Sequence, residues 1–263
     1  MGAGLFTQFP DITATADDVL GYSVEELCTQ DPGRRLRDTR YAQPAVFTVN
    51  TLMGLRQLAE HPDGYQFFAG HSLGEYNALV AAGMLSFDEA LRLVQRRGEL
   101  MSSVTGGGMS AVQGVPAAFV QRALRETGLT KVYIANYNAD TQTTIAGDRT
   151  EVAVAAKAIG ALPGARVVPI NVSGPFHTPL MAPVEPAFRA LLENCTFAAG
   201  DGTVVSSVTG EVFQPDAGRD LLADQVSAPV QWVRTVATLR GLGISQFDEV
   251  NGSTLSALVS RIR

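Results

Sequence analysis

The segment Gly70-His-Ser-Leu-Gly74 constrains the fold of this chain more than any other. It follows a short apolar run at 65–69 and precedes an Ala- and Leu-rich stretch at 73–83. Strand, sharp turn and helix therefore follow one another, as in a βα unit of a parallel sheet. The pattern G-x-S-x-G at such a junction is typical of a nucleophilic serine, because small flanking residues allow the strained turn that presents the hydroxyl group. A glycine-bounded turn with a capping serine is the alternative.

A second unit follows the triple glycine at 106–108. Alternating and helical apolar periodicities there predict the order βαββαβ, which is that of a ferredoxin-like unit. The strands are predicted at 109–115, 131–135, 142–146 and 165–172, and the helices at 116–127 and 151–159. We therefore predict an α/β fold in which a hydrolase-like parallel-sheet core, formed by 1–108 and 173–263, is interrupted by a ferredoxin-like subdomain at 109–172.

The flanking segments supply the remaining elements of the predicted core. Apolar residues at three- and four-residue spacing predict helices before and after the glycine turn, with Pro44 near the start of the first. The predicted helices are 44–58, 87–103, 181–192, 218–225, 230–239 and 254–262, and the further predicted strands are 203–207 and 244–250.

Composition sets the class of protein. With 263 residues, of which 46% are apolar and 17% charged, the chain can bury a sizeable core, which excludes a disordered or fibrous protein. The net charge of -6 disfavours nucleic acid and anionic membranes as partners. Neither a membrane-length apolar run nor a signal peptide is evident, so we expect a cytoplasmic protein. Cys28 and Cys195 form no spacing motif, and we expect two buried thiols.

A serine nucleophile needs a base, and the sequence offers three histidines. His61 precedes a proline in a predicted surface loop. His71 adjoins Ser72, where neighbouring side chains diverge, so a packing or supporting role is favoured. His177 lies in the stiff loop 173–179, of a kind that presents a side chain, and is the best candidate. Almost a third of the chain follows it, unlike the histidine of an ordinary α/β-hydrolase, which comes last after the acid.

Five ordered blocks resemble the signatures of malonyl-CoA:acyl-carrier-protein transacylases, including the acyltransferases of polyketide synthases. The resemblance covers nearly the whole chain and implies a hydrolase-like core with a ferredoxin-like insert. The blocks are Gly70-His-Ser-Leu-Gly-Glu75, Arg97-Gly-Glu-Leu-Met101, Asn136 to Gly147, Gly174-Pro-Phe-His177 and Pro229-Val-Gln-Trp232.

The resemblance implies a role for each matched residue. Ser72 is the implied nucleophile and His177 its base. Arg97 is implied to pair with the free carboxylate of malonyl, for which a planar guanidinium is suited, and Phe176 resembles the ring that excludes an α-methyl group. We count Arg97, Phe176, His71 and Leu73 as the substrate-binding set, with the Leu73 N–H as oxyanion donor.

Two departures from the family pattern concern positions at the ends of the chain. Family members begin with an apolar strand and a Gly-Gln-Gly-Ser-Gln loop, whereas residues 1–6 resemble the segment just downstream. We therefore expect the first core strand, and a second oxyanion donor, to be missing. Asn251-Gly-Ser253 stands where the family has a Gly-Pro-Gly-like loop, and we predict Asn251 to orient the histidine.

The implied reaction moves malonyl from malonyl-CoA, through an ester of Ser72, to the phosphopantetheine thiol of an acyl carrier protein. We expect no metal and no bound cofactor, since coenzyme A enters as part of the substrate. Two alternatives are an acyl hydrolase that clears carrier proteins and a weakly active or inactive docking domain. Carrier proteins of this class are usually acidic, so the run Arg34, Arg35, Arg37 and Arg40 is either a docking patch or a solvated surface.

Overall fold

The computed structural model describes residues 1–62, 64–172 and 174–263. Ser173, at the start of the predicted histidine loop, lies outside the described residues. The helices are α1 (Pro10–Leu20), α2 (Val24–Gln30), α3 (Thr39–Glu60), α4 (Gly74–Ala81), α5 (Phe87–Ser103), α6 (Ala117–Thr127), α7 (Arg149–Gly160), α8 (Glu185–Leu192), α9 (Gly218–Asp224), α10 (Trp232–Gly241) and α11 (Thr254–Val259). The strands are β1 (Phe67–Ala69), β2 (Gly107–Gln113), β3 (Val132–Ala139), β4 (Gln142–Asp148), β5 (Arg166–Ile170) and β6 (Thr203–Val205).

Strands β2 to β5 form a four-stranded sheet in the order β3-β4-β2-β5, with every neighbouring pair antiparallel. Helices α6 and α7 connect the strands and pack on the sheet. This topology confirms the predicted ferredoxin-like order, because both βαβ crossovers skip one strand. The boundaries 109–172 for a subdomain remain a prediction.

The two strands β1 and β6 form a separate parallel pair, in which Phe67 lies opposite Thr203 and Ala69 opposite Val205. Helices α3, α4 and α5 pack together beside it. Helix α5 begins after the capping residue Ser86, whose hydroxyl oxygen accepts the backbone N–H of Glu89 and whose hydroxyl donates to the Glu89 carboxylate. The parallel pairing and the α/β class agree with the fold predicted from the sequence.

Three stretches differ from the sequence prediction. Residues 244–250 do not form the predicted strand: no strand of the described chain pairs with them by hydrogen bonds, and the Ile244 N–H instead donates to Leu239 O near the end of α10. Pro44 lies inside α3 rather than near its start, since the helix already begins after the capping residue Asp38. The amino-terminal helices α1 and α2 had no predicted counterpart.

The two cysteines match the sequence prediction. Cys28 and Cys195 are free and buried, as expected. Across the described ranges, no helix combines the length and the apolarity needed to cross a bilayer.

Candidate active site

Ser72 occupies the turn between β1 and α4. Its φ is 52°, a left-handed conformation that is strained for a residue with a side chain. Gly70 permits the turn, because a Cβ at that position would lie 1.9 Å from the carbonyl carbon of Gly74. The Leu73 N–H, at the amino end of α4, makes no hydrogen bond with the described residues and so is free to bind an oxyanion.

His177 meets Ser72 across 105 positions of sequence. Its Nε2 lies 2.7 Å from Ser72 Oγ. Its Nδ1 lies 3.0 Å from the carbonyl oxygen of Gln225 and 3.3 Å from that of Ala228. Carbonyl oxygens accept only, so Nδ1 carries the proton and Nε2 is left to accept the Ser72 hydroxyl. Since Gln225 directly follows α9, the proton on Nδ1 points toward the negative end of a helix.

The protonation state of His177 suits a general base. Burial lowers the pKa of His177 to about 3, and the neighbouring Arg97 and His71 also lower it, while the hydrogen bonds to Gln225 and Ala228 oppose the change. The ring is therefore neutral at physiological pH and can take the Ser72 proton.

The loop that carries His177 is fixed by close packing. His177 has a φ of 60°, so both members of the pair adopt left-handed conformations. Gly107 of β2 makes room for the loop, because a Cβ there would lie 2.3 Å from Pro175 N. Phe176 is buried in the main core, and the Thr178 hydroxyl donates to Pro175 O at 2.6 Å. The antiparallel sheet thus holds the base against the nucleophile.

Arg97 lies on the buried face of α5 and is 2% exposed. Its Nη2 donates to Ser72 Oγ at 3.0 Å and its Nη1 to Gln43 Oε1 at 2.6 Å. Its Nε has no partner, and it forms no ion pair with any carboxylate of the described chain. A buried guanidinium without a counter-charge beside a serine hydroxyl is a site for an anionic group.

His71 points away from Ser72 toward the antiparallel sheet. Its Nε2 lies 2.9 Å from Asn138 Oδ1, and its ring lies 5.9 Å from the Trp232 ring. Burial lowers the pKa of His71. These contacts give His71 a packing role beside the nucleophile, and its contact with substrate remains a prediction.

Asn251 does not orient His177, which corrects the sequence prediction. Its Nδ2 donates to Asn50 Oδ1 at 2.7 Å, whereas the carbonyl oxygens of Gln225 and Ala228 bind the histidine. The prediction failed because a backbone carbonyl has no side-chain signature, so any residue in a suitable loop can supply it. A sequence signal that could have pointed to Gln225 is its position four residues before the family block Pro229 to Trp232.

Two of the four arginines in the run 34–40 contact neighbouring side chains. The Arg35 guanidinium lies over the rings of Tyr22 and Tyr41, at 4.7 and 3.9 Å from their centroids. Arg40 pairs with Asp38 at 2.8 Å. Arg34 and Arg37 are exposed and lack an ion pair within the described residues, so the docking role of the run remains a prediction.

Comparison with known proteins places this site in a family. Residues 1–240 match the model of the acyl transferase domain. The chain is 39% identical, over its whole length and 92% of the relative, to a polyketide biosynthesis malonyl CoA-acyl carrier protein transacylase of Bacillus subtilis. It is 34% identical to a malonyl CoA-acyl carrier protein transacylase of Escherichia coli, covering all of this chain and 88% of the relative.

Solved structures agree. A malonyl CoA-acyl carrier protein transacylase from Burkholderia pseudomallei superposes with a TM-score of 0.94 at 37% identity, covering 100% of this chain and 92% of that one. A malonyl-transacylase in complex with a type II polyketide synthase acyl-carrier protein gives 0.93 at 35%, covering 100% and 88%. The chain belongs to the acyl transferase family. Within that family, the two relatives named above are both malonyl CoA-acyl carrier protein transacylases.

Proposed function

We propose that this protein is a malonyltransferase that moves malonyl from malonyl-CoA, through an ester of Ser72, to the phosphopantetheine thiol of an acyl carrier protein. Coenzyme A enters as the thioester substrate. The names of the relatives, which include malonyl CoA-acyl carrier protein transacylases with and without an assignment to polyketide biosynthesis, support this reaction. A neighbour that is complexed with an acyl-carrier protein supports the acceptor.

The buried and unpaired Arg97 is the observation that carries the choice of malonyl. An acetyl group, or a longer acyl group with a plain alkyl chain, offers this guanidinium no acceptor at its far end. The free carboxylate of malonyl can accept two of its N–H groups. Arg97 Nη2 already lies 3.0 Å from Ser72 Oγ. A malonyl carboxylate bound to Arg97 therefore keeps the rest of the malonyl group close to the nucleophile.

The geometry supports a two-step reaction. His177 Nε2 takes the hydroxyl proton as Ser72 Oγ attacks the thioester carbonyl, and the Leu73 N–H stabilises the oxyanion. The carbon–sulfur bond then breaks, and His177 returns the proton to the departing sulfur of coenzyme A. In the second step His177 takes the proton of the carrier thiol, whose sulfur attacks the seryl ester carbonyl. The bond between that carbonyl carbon and Ser72 Oγ then breaks, and His177 returns the proton to Ser72 Oγ. Ping-pong kinetics follow.

Two other functions compete with this one. A hydrolase would use the same Ser72–His177 pair, but would gain nothing from a buried arginine aimed at the acyl group. An inactive docking domain would not need a histidine held in one tautomer 2.7 Å from a strained serine. The Arg97 environment therefore favours the transferase.

Intact mass spectrometry of the protein with malonyl-CoA tests the proposal. We expect one malonyl adduct on the wild type, none on Ser72→Ala, and transfer of the group to a holo acyl carrier protein. Ser102→Ala, at a serine that only bonds its own helix, serves as control and should acylate normally. Release of free malonate instead of transfer would indicate a hydrolase, and a folded wild type without adduct would indicate a docking domain.

A further inference from the structure

Glu75 is a buried carboxylate that the reaction just described does not use. It lies in the first turn of α4, three residues after Ser72, and is 0% exposed. It forms no ion pair within the described residues. An unpaired buried carboxylate costs free energy, so its hydrogen-bond partners indicate what it does.

Three donors converge on Glu75. The Ser207 N–H donates to Oε1 at 3.1 Å, and the Ser207 hydroxyl donates to Oε2 at 2.7 Å. Gln225 Nε2 also donates to Oε2, at 2.5 Å. Burial raises the pKa of Glu75, and the hydrogen bonds from Ser207 and Gln225 oppose that change. One carboxylate thus joins the loop after β6 to the residue that follows α9.

Gln225 connects Glu75 to both catalytic residues. Its Nε2 donates to the carbonyl oxygen of Ser72 at 3.2 Å, while its own carbonyl oxygen accepts from His177 Nδ1 at 3.0 Å. Its Oε1 has no hydrogen-bond partner among the residues that the structure describes. Two acceptors therefore face one side of the amide, and they require the NH2 group there, because the opposite orientation would place Oε1 against both oxygens.

We propose that Glu75 is a positioning residue, which holds the Gln225 side chain so that the Gln225 backbone keeps His177 aligned with Ser72. The carboxylate touches neither catalytic side chain and acts through Gln225. The inference rests on the proposed roles of Ser72 and His177.

Both carboxyl oxygens of Glu75 are essential to this arrangement, because together they accept from all three donors. In Glu75→Gln, one oxygen becomes an NH2 group. If that group faces Gln225, two amide donors oppose each other and Gln225 turns, which breaks its bond to Ser72 O. If it faces Ser207, the N–H of Ser207 loses its acceptor inside the protein.

Steady-state kinetics of malonyl transfer test the proposal on Glu75→Gln, Gln225→Ala and the double variant. Misplacement of a catalytic group by about 1 Å can cost about 100-fold in rate, so we expect each single variant to lower kcat about 30-fold. KM for malonyl-CoA should change less than about threefold, because Arg97 is untouched. The double variant should be no slower than Gln225→Ala, since both changes break one chain of contacts.

A matched control is Thr235→Val, which removes another fully buried hydroxyl bonded to the same loop, at Ser206 O, without a link to Gln225. We expect its kcat to match the wild type within about twofold. A kcat for Glu75→Gln within threefold of wild type, or multiplicative losses in the double variant, would overturn the proposal.

Gln225→Ala keeps the test decisive if Glu75→Gln fails to fold, because that variant retains the backbone carbonyl and loses only the side chain. A wild-type kcat for Gln225→Ala would overturn the positioning role of Glu75, which acts through the Gln225 side chain. The proton NMR signal of His177 Nδ1–H needs no substrate and should shift in both variants, but not in Thr235→Val. An unchanged signal would overturn the positioning role, whereas absence of a malonyl adduct on the wild type would count against the transferase function alone.

Discussion

The four-stranded sheet has two sides that differ in chemistry. The side under α6 and α7 is packed with aliphatic residues, among them Val112, Ile134 and Ile145. The other side faces Ser72 and presents small and polar groups, such as Asn138, which joins His71 to Thr144. One side supplies stability through apolar burial, while the other accepts the cost of buried polar groups in order to hold a reactive site.

The largest expected effect tests the reactive side. Arg97→Ala removes the only guanidinium that the described structure places on Ser72 Oγ, and loss of a buried charged contact costs roughly 4 kcal/mol. We therefore expect kcat/KM for malonyl-CoA to fall about 1000-fold, with acetyl-CoA affected much less. Steady-state assays with both thioesters measure this shift.

Arg96→Ala is the matched control, because the neighbouring arginine lies on the exposed face of α5 and pairs with Glu99 at 2.9 Å. It should leave both activities within about twofold of wild type. If Arg97→Ala keeps the same preference for malonyl over acetyl, the carboxylate role of Arg97 is wrong.

The next effect tests the aliphatic side. Ile145 on β4 is 0% exposed and packs under the helices, so Ile145→Ala leaves a cavity and should lower the free energy of unfolding by about 3 kcal/mol. Urea denaturation measures the loss, and kcat of the folded fraction should remain within about twofold. Ile170→Ala, on the edge strand β5 at 37% exposure, should cost less than about 1 kcal/mol. Equal losses of unfolding free energy for Ile145→Ala and Ile170→Ala would contradict the difference between the side packed under the helices and the exposed edge strand.

A smaller effect comes from the cost of burying His177. Because its pKa is about 3 when folded and about 6.5 when unfolded, the unfolded chain binds more protons between these values, and stability falls as pH drops below about 6.5. For this residue the loss reaches about 2 kcal/mol at pH 5.

His177→Gln removes this pH-dependent contribution to the free energy of unfolding. We expect the wild type to lose about 2 kcal/mol more than the variant between pH 7 and pH 5, as measured by urea denaturation at each pH. The lowered pKa of His71 contributes equally to both proteins and cancels. Parallel stability profiles would show that His177 titrates normally in the folded protein.

How much the sequence predicts differs between the two sides of the sheet. Periodicity placed α5 at its observed bounds and found the order of the antiparallel strands, because those patterns are local. It could not show that residues 244–250 lack a neighbouring strand, since pairing is not a local property. The spacing of apolar residues in α5 gives no reason to single out Arg97, and only the family resemblance assigns it to the site.

The polar network of the reactive side was least predictable. Ser72 and His177 belong to recognisable motifs, but Gln225 and Glu75 meet across 150 positions, and Gln43 reaches Arg97 across 54. These contacts use ordinary polar side chains whose spacing carries no pattern. Only the folded structure shows that Glu75 reaches Ser72 and His177 through Gln225, and that Gln43 reaches Ser72 through Arg97.

The smallest expected effect concerns Phe176, a core residue next to the catalytic histidine. Its ring is buried in the main core and directly precedes His177, so it contributes to packing and to the shape of the site. Phe176→Leu should improve kcat/KM for methylmalonyl-CoA relative to malonyl-CoA about tenfold, the effect of one methyl group in a pocket. Phe213→Leu, which shortens another buried ring of the same core, is the control for general loosening and should leave the ratio unchanged. If both variants shift the ratio equally, selection against the methyl group comes from overall rigidity and not from the Phe176 ring.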